Sequence, residues 1–261
     1  MDKKSIIKNF FFFLLFIQFG FSQNKNQIKV MTFNIYHGET MNGNFDLKII
    51  ADVINNEKPD FVALQEVDYK TKRVNYIDLA DSLAKKTNML ATFGKAMDYD
   101  NGAYGVAILS KNKILDSRNI SLPHGYNEPR TALEITSILS FGDTISFIST
   151  HFDHKQKDHY RISQANKIYE TFKTNKFPTI LAGDLNDIPG SETIELLEKY
   201  WTSSYEKENP KQTFPSLNPN KKIDYIMYFP ENQWKMINTK VIQDTIASDH
   251  RAYVATLKLI H

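Results

Sequence analysis

Apolar residues fall along this chain in short unbroken runs that alternate with stretches of helical spacing. Residues 28–33 read as a strand, and Leu47, Ile50, Ala51 and Ile54 then predict a helix over 46–57 that Pro59 ends. A buried strand is predicted over 60–64. A helix follows over 75–87, with Ile77, Leu79, Ala80, Leu83 and Ala84 on its apolar face. Further strands are expected over 104–109 and 114–122, and the runs 133–139 and 145–149 pair as a hairpin across Gly142 and Asp143. Ile162, Ala165, Ile168, Tyr169 and Phe172 predict a helix over 157–175, with the basic cluster Lys155, Lys157, His159 and Arg161 as its solvated first turn. A short buried strand over 178–181 leads to the turn Pro189-Gly190, after which Ser191 N-caps a helical pattern through Leu197. Residues 202–222 form a polar, proline-bearing loop. Strands follow, one entered at Lys221 and continuing through Tyr228, the other over 252–259. Strands and helices alternate, no repeat interrupts them, and one α/β domain over residues 23–261 is the simplest organisation.

The first 22 residues follow another pattern. Lys3, Lys4 and Lys8 precede an apolar run from Phe10 to Ile17, and Gly20 and Ser22 stand where small residues mark a cleavage site. This predicts a secretory signal peptide over 1–22, cut after Ser22, and so an exported protein, periplasmic or secreted. The run is far shorter than the roughly 20 residues a spanning helix needs. No transmembrane segment is expected in the mature chain, and an uncleaved anchor resting on a membrane is the alternative.

Removing the leader also changes the charge. The full chain has 32 Lys and Arg against 30 Asp and Glu, a formal net charge of +2. Without Lys3, Lys4, Lys8 and Asp2 the charges balance. A protein that grips a nucleic-acid backbone usually carries a clear basic excess. Cysteine is absent, which excludes disulfides and thiolate catalysis. The core must therefore hold the fold, and a monomer is the expectation.

Candidate chemistry gathers where strands end. Asp184 and Asn186 follow the 178–181 strand, at the carboxyl end of an α/β unit, where open sheets place their ligands. Residues two apart in extended chain face one side, so both would address the same space; a capped turn is the plain alternative. Asn34 lies just past the first strand and Glu66 just past the second. Glu66 suits a hard divalent cation, which takes oxygen ligands, or else caps a helix at the surface. His151 and Asp153 alternate onto one face, with His154 on the other. Arg130, in a loop between strands, is either a bidentate phosphate ligand or a surface arginine. Asp224 opens a strand, and the adjacent Asp249 and His250 offer a carboxylate for a metal and a general base.

Taken together and in order, Asn34, Gln65-Glu66, Thr150-His151, Gly183-Asp184-Leu185-Asn186, Ile223-Asp224-Tyr225 and Ser248-Asp249-His250 resemble the motifs of the endonuclease/exonuclease/phosphatase superfamily. The likeness extends from Ile28 to Leu259. It implies an α/β fold of the deoxyribonuclease I kind: a four-layer α/β sandwich, two mixed β-sheets packed face to face with flanking helices. It implies Mg²⁺ or Mn²⁺ held by Glu66 with help from Asn34 and Asp249. His250 would be the general base or the group that stabilises the charged transition state, and Asp224 would hold its imidazole in the useful tautomer. Asp184 would orient the attacking water and Asn186 would hold a phosphate oxygen. His151 would be a second phosphate contact or a proton donor to the leaving oxygen, with its neighbour Asp153 and with Arg130 as further phosphate contacts. The activity implied is metal-dependent hydrolysis of phosphoric esters, as phosphodiesterase or phosphatase, on small or lipid or polyol phosphate esters. A secreted nuclease and a non-catalytic phosphate-binding module are the alternatives. The neutral mature charge disfavours the first and the completeness of the motifs disfavours the second.

Overall fold

The computed structural model describes residues 26–155 and 160–261. The signal-peptide segment, and Lys157 and His159 of the basic cluster, lie outside the described residues. Two units of the same kind organise the chain. In the first, β1 (Gln27–Asn34) crosses through α1 (Leu47–Glu57) to β2 (Phe61–Tyr69), which pairs parallel with β1. In the second, β7 (Thr144–His151) crosses through α3 (Tyr160–Phe172) to β8 (Thr179–Asp184), again parallel. A helical crossover returns the chain to the same end of the sheet, so parallel neighbours finish side by side. Asn34 is the register partner of Gln65, and His151 of Asp184.

Antiparallel strands extend each pair. With β3 (Leu90–Tyr99), β4 (Gly102–Ser110), β11 (Trp234–Val241) and β12 (Tyr253–Leu259), the first pair forms a sheet ordered β11-β12-β1-β2-β4-β3. With β5 (Lys113–Leu122), β6 (Arg130–Ile138), β9 (Thr202–Ser203) and β10 (Asp224–Phe229), the second forms a sheet ordered β5-β6-β7-β8-β10-β9. Both are six-stranded and mixed. They pack face to face over one buried core that includes Val30, Phe61, Ile108, Ile135 and Phe147, with the Phe61 and Phe147 rings 5.2 Å apart. Ala165, Ile168 and Phe172 of α3 and Ile194 and Leu197 of α4 (Glu192–Glu198) join that core. The outer face of the first sheet buries Met31, Phe33, Val62 and Leu64 against α1 and α2 (Leu79–Thr87). The result is the four-layer sandwich expected from the motifs. Buried polar groups also bridge the sheets: Thr32 donates to Gln65, and Gln65 reaches Ser149 on the opposing sheet at 3.5 Å.

Several element boundaries differ from the expectation, each for a local reason. The strand expected over 60–64 continues to Tyr69 through a bulge, in which Gln65 and Glu66 together oppose one position of β4. The helix expected from residue 75 starts at Leu79, because Asp78 caps it, its side chain accepting from Asp81 N. Asn75 and Tyr76 before it take left-handed backbone. The helix expected to reach residue 175 stops at Phe172. Arg161 is not a solvated first-turn residue. Its side chain is largely buried, 3.1 Å from Asp187, and donates to the carbonyls of Asp153 and Lys155. The edge strands β3 and β11 escaped prediction because each faces water along much of its length and shows no clean apolar run.

Glycine at position 183 sets the spacing of the second parallel pair. A Cβ there would lie 2.1 Å from the carbonyl oxygen of Thr150, its partner on β7. We expect Gly183→Ala to force the strands apart beside Asp184 and to cost about 1–3 kcal/mol of stability. The urea unfolding midpoint measures this, and an unchanged midpoint would show that β7 and β8 do not approach so closely.

Candidate active site

The carboxyl ends of both parallel pairs open on the same edge of the sandwich, and a cleft of about 390 Å³ lies there. Asn34 ends β1 and is buried. Its amide nitrogen donates to Glu66 Oε1 and to Asp184 Oδ2, both at 3.2 Å, and its oxygen accepts from Tyr36 N. One side chain thus ties the carboxylate of one sheet to that of the other. Glu66 reaches the cleft through the β2 bulge. Its φ is 57°, a left-handed conformation that costs a non-glycine residue on the order of 1–3 kcal/mol and re-aims its side chain. Burial pushes the Glu66 carboxyl up, but the neighbouring His37, His151 and His250 and a hydrogen bond from Asn34 outweigh it and bring it down to about 2.

On the second sheet, Asp184 and Asp224 face each other in the register of β8 and β10. Both are buried, and between them stands the His250 imidazole. His250 Nδ1 lies 3.1 and 3.2 Å from the two Asp224 oxygens, and Nε2 lies 3.6 Å from Asp184 Oδ2. Burial alone would lower the His250 pKa. The charges of Asp224 and Asp184, with the Asp224 hydrogen bond and Asp249, instead hold it at about 10. The Asp184 carboxyl is pushed up to about 7, by burial first, against the pull of His250 and with the Asp224 charge adding to it. Lys222 stands behind this set, fully buried, donating to the Asp224 carbonyl and 3.6 Å from the Tyr253 ring centroid. Burial draws its ammonium down to about 7, opposed by Asp224.

His151, at the end of β7, lies 3.5 Å from Asp184 Oδ2 through Nε2, which supplies the carboxylate neighbour the motif left open. Asn186 Nδ2 is 3.0 Å from the same nitrogen, and Arg130 Nη1 is 3.2 Å from Nδ1. Burial, then the Arg130 charge, push the His151 pKa well below its ordinary value. Set between Asn186 and Arg130, the ring is placed as a hydrogen-bonding contact. Asn186 does share the cleft with Asp184, but by a left-handed turn (φ 52°) in which its N–H closes onto Asp184 Oδ1 at 2.9 Å, not by strand alternation.

Arg130 is no surface residue. It opens β6 with only 4% of its surface exposed. It pairs with Glu128 at 2.8 Å, reaches His154 Nδ1 at 3.3 Å and shares the cleft with Tyr104, while its Nε is buried with no partner among the described residues. A buried unpaired donor is costly unless a ligand meets it. Asp153, in contrast, does not line the cleft. β7 ends at His151, Phe152 turns into the core, and Asp153 accepts from Asn127 and from Lys155 N. The alternation assumed for this stretch therefore stops, and His154 rather than Asp153 lines the cleft beside His151. Sequence reasoning also passed over His37, Arg73, Tyr99 and Tyr104, which line the cleft from turns and strands without motif spacing.

Two groups of side chains could hold a cation. Glu66 and Asp249 offer hard oxygen donors. The Asp249 carboxyl is pushed up by burial and by the Glu66 charge, and forms no ion pair among the described residues. His37 Nδ1, 3.8 Å from Glu66 Oε2, is buried without a hydrogen-bond partner among the described residues. Two neighbouring carboxylates that line one cleft fit a hard divalent ion. Asp184, Asp224 and His250 form the second group, with potential ligand atoms within 4.8 Å of one another. There the protonated imidazole already occupies the space between the carboxylates, and a cation would have to displace its proton. The loop after β9 braces both groups: Ser216 N donates to the Asp249 carbonyl, Arg251 N to the Thr213 carbonyl, and the Phe214 ring packs 4.7 Å from His250.

Comparison with known proteins agrees with this geometry. Residues 31–250 match the model of the Endonuclease/Exonuclease/phosphatase family. Among solved structures, the chain is similar to an endonuclease/exonuclease/phosphatase from Beutenbergia cavernae, at 20% identity and TM-score 0.72, over 90% of this chain and 72% of that one. It is similar to the human Nocturnin catalytic domain at 21% identity and TM-score 0.71, over 90% and 94% of the two chains. It is also similar to a Bacteroides thetaiotaomicron mannosyl-6-phosphatase at 16% identity and TM-score 0.67, over 90% and 100%. With both mixed sheets, the motif residues at one edge and the family match over residues 31–250, this chain belongs to the endonuclease/exonuclease/phosphatase family.

Proposed function

We propose that this chain is an exported, divalent-cation-dependent phosphoric-ester hydrolase that acts on small or lipid or polyol phosphate esters. The observation that carries the reading is His250, set between two buried carboxylates in a cleft where Glu66 and Asp249 also converge. A phosphatase activity is named for two structures of this fold, a mannosyl-6-phosphatase and a 2',3'-cyclic phosphatase. Glu66 and Asp249, with Asn34 as bracket, are the residues that would hold Mg²⁺ or Mn²⁺. When bound, such an ion neutralises phosphoryl charge and lowers the pKa of bound water.

The chain's own groups divide the remaining work. Arg130, with its unpartnered Nε, and Asn186 hold the phosphate, and His151 adds a hydrogen bond. Asp184 orients the attacking water along the line to phosphorus. Asp224 fixes the His250 ring through Nδ1, so that Nε2 faces the reacting centre and stabilises charge as it builds. Water adds to phosphorus, one P–O ester bond breaks, and the departing oxygen takes a proton.

Three outcomes test this reading. Asp224→Asn keeps the shape but removes the charge that orients His250, and kcat should fall about a thousandfold or more while the circular dichroism spectrum is retained. Wild-type turnover in this variant would remove Asp224 from the mechanism. Phosphodiester and phosphomonoester reporters and plasmid DNA, assayed side by side, should show cleavage of the small esters with Mg²⁺ or Mn²⁺, none with EDTA, and intact plasmid. Rapid plasmid nicking that falls steeply with salt would instead make the protein a nuclease. Export predicts that the mature protein begins at Gln23. Intact mass of the protein recovered outside the cytoplasm checks this, and a retained Met1 would refute it.

A further inference from the structure

The cleft has two arms, and they leave the reacting centre in opposite directions. His154, Asn186, Phe214 and His250 border both the main cleft and an adjoining hollow of about 320 Å³. Beyond them the main cleft is walled by Arg73, Met97, Tyr99 and Tyr104, from β3, β4 and the turn before α2. The adjoining hollow is walled by Arg161, Asp187, Ile188, Lys221 and Ile223. The sheet order places these walls apart. Strands β3 and β4 pack over β5, β6 and β7, whereas β1 and β12 pack over β8 and β10. The first arm therefore runs toward the β3 end of the sandwich and the second toward the β10 end, with Asn34, Glu66, His151 and Asp184 between. Each hollow alone has the volume of a small-ligand site, which is more than one phosphoryl group uses.

The walls differ in chemistry. Arg73 is fixed by Asp68, which takes its Nε at 2.6 Å and its Nη2 at 2.7 Å, and Asp68 is itself fully buried. The guanidinium lies 4.7 Å from the Tyr99 ring centroid and 5.7 Å from that of Tyr104. An arginine has five N–H donors in a planar fork, so Asp68 cancels the charge and leaves donors at the edge of the plane. A charge-neutral donor edge beside aromatic faces suits hydroxyls on an apolar frame, not a second phosphate. The opposite arm is apolar along Ile188 and Ile223, its Arg161 is paired with Asp187, and Lys221 stands exposed at its mouth.

Building on the hydrolase reading above, we infer that this site is shaped for a phosphodiester, with one ester substituent in each arm and a neutral polyol seated on Arg73, Tyr99 and Tyr104. Hydrolysis then consumes one water, breaks one of the two P–O ester bonds and releases an alcohol and a phosphate monoester. Neither product fills both arms, which favours their release.

The test uses the full mature protein with Mg²⁺ or Mn²⁺ and three esters followed by ³¹P NMR: glycerol 1-phosphate, diethyl phosphate and glyceryl ethyl phosphate. The expected order places glyceryl ethyl phosphate about tenfold or more above either of the others in kcat/KM. Tyr99→Ala should bring the ratio of glyceryl ethyl phosphate to diethyl phosphate down about tenfold, through KM rather than kcat. Arg73→Lys, which keeps a cation for Asp68 but loses the planar fork, should do the same if Tyr99→Ala perturbs the strand. Glycerol 1-phosphate turned over as well as the polyol diester, or an unchanged ratio in both variants, overturns the inference and leaves the hydrolase reading standing. No turnover of any of the three esters, with either metal, overturns both.

Discussion

Asp184 and Asp224 are two carboxylates buried on neighbouring strands, and they share one imidazole. Without His250 between them the charges of these two buried groups would repel, and the cost of an unpaired buried charge is several kcal/mol. The pairing of β8 with β10 sets them opposite each other, so the repulsion is built into the sheet and the histidine is what makes it bearable. Much of the surrounding structure serves that contact. The Thr213–Ser216 segment holds the backbone on either side of His250, Phe214 covers its ring, and Lys222 sits behind Asp224 with its charge against three tyrosine rings.

The two crossover units explain how distant residues meet. A parallel pair ends with both strands at the same edge, and each sheet has one such pair. Packing the sheets face to face brings three strand ends and the β2 bulge together, so Asn34, Glu66, His151 and Asp184 converge although Asn34 and Asp184 are 150 positions apart. The antiparallel strands contribute differently. They widen the sheets, and at the β3 and β10 ends they supply the walls that distinguish one side of the cleft from the other.

Much of this was legible in the chain. The helices over 46–57 and after Ser191 could be read from spacing and caps, and the motif order pointed to the sandwich. Residues at strand ends were found because strand periodicity has a visible stop. Where a side chain depends on something other than periodicity, the reading lost it. Glu66 was taken to lie past a strand that in fact runs on to Tyr69, because a bulge has no compositional mark. Asp153 was assigned to the cleft by an alternation that ends two residues earlier, and Arg161 was placed in solvent although it is tied to Asp187. Arg73 and Tyr99 meet through pairing of β3 with β4 and a turn that carries no motif.

The bulge in β2 has a consequence for how the cleft can vary. Along a strand, each step of one residue exchanges the two faces. Glu66 and Asp68 therefore owe their places to an extra position in the strand as well as to their own identities. Replacing Glu66 removes one carboxylate and leaves the rest of β2 where it is. Losing one residue at the bulge would exchange the faces of Val67, Asp68 and Tyr69 together, bringing core residues to the cleft and stripping Arg73 of its anchor. The acidity of this cleft is thus written in the length of a strand as much as in its composition, and change there is gradual by substitution but abrupt by deletion.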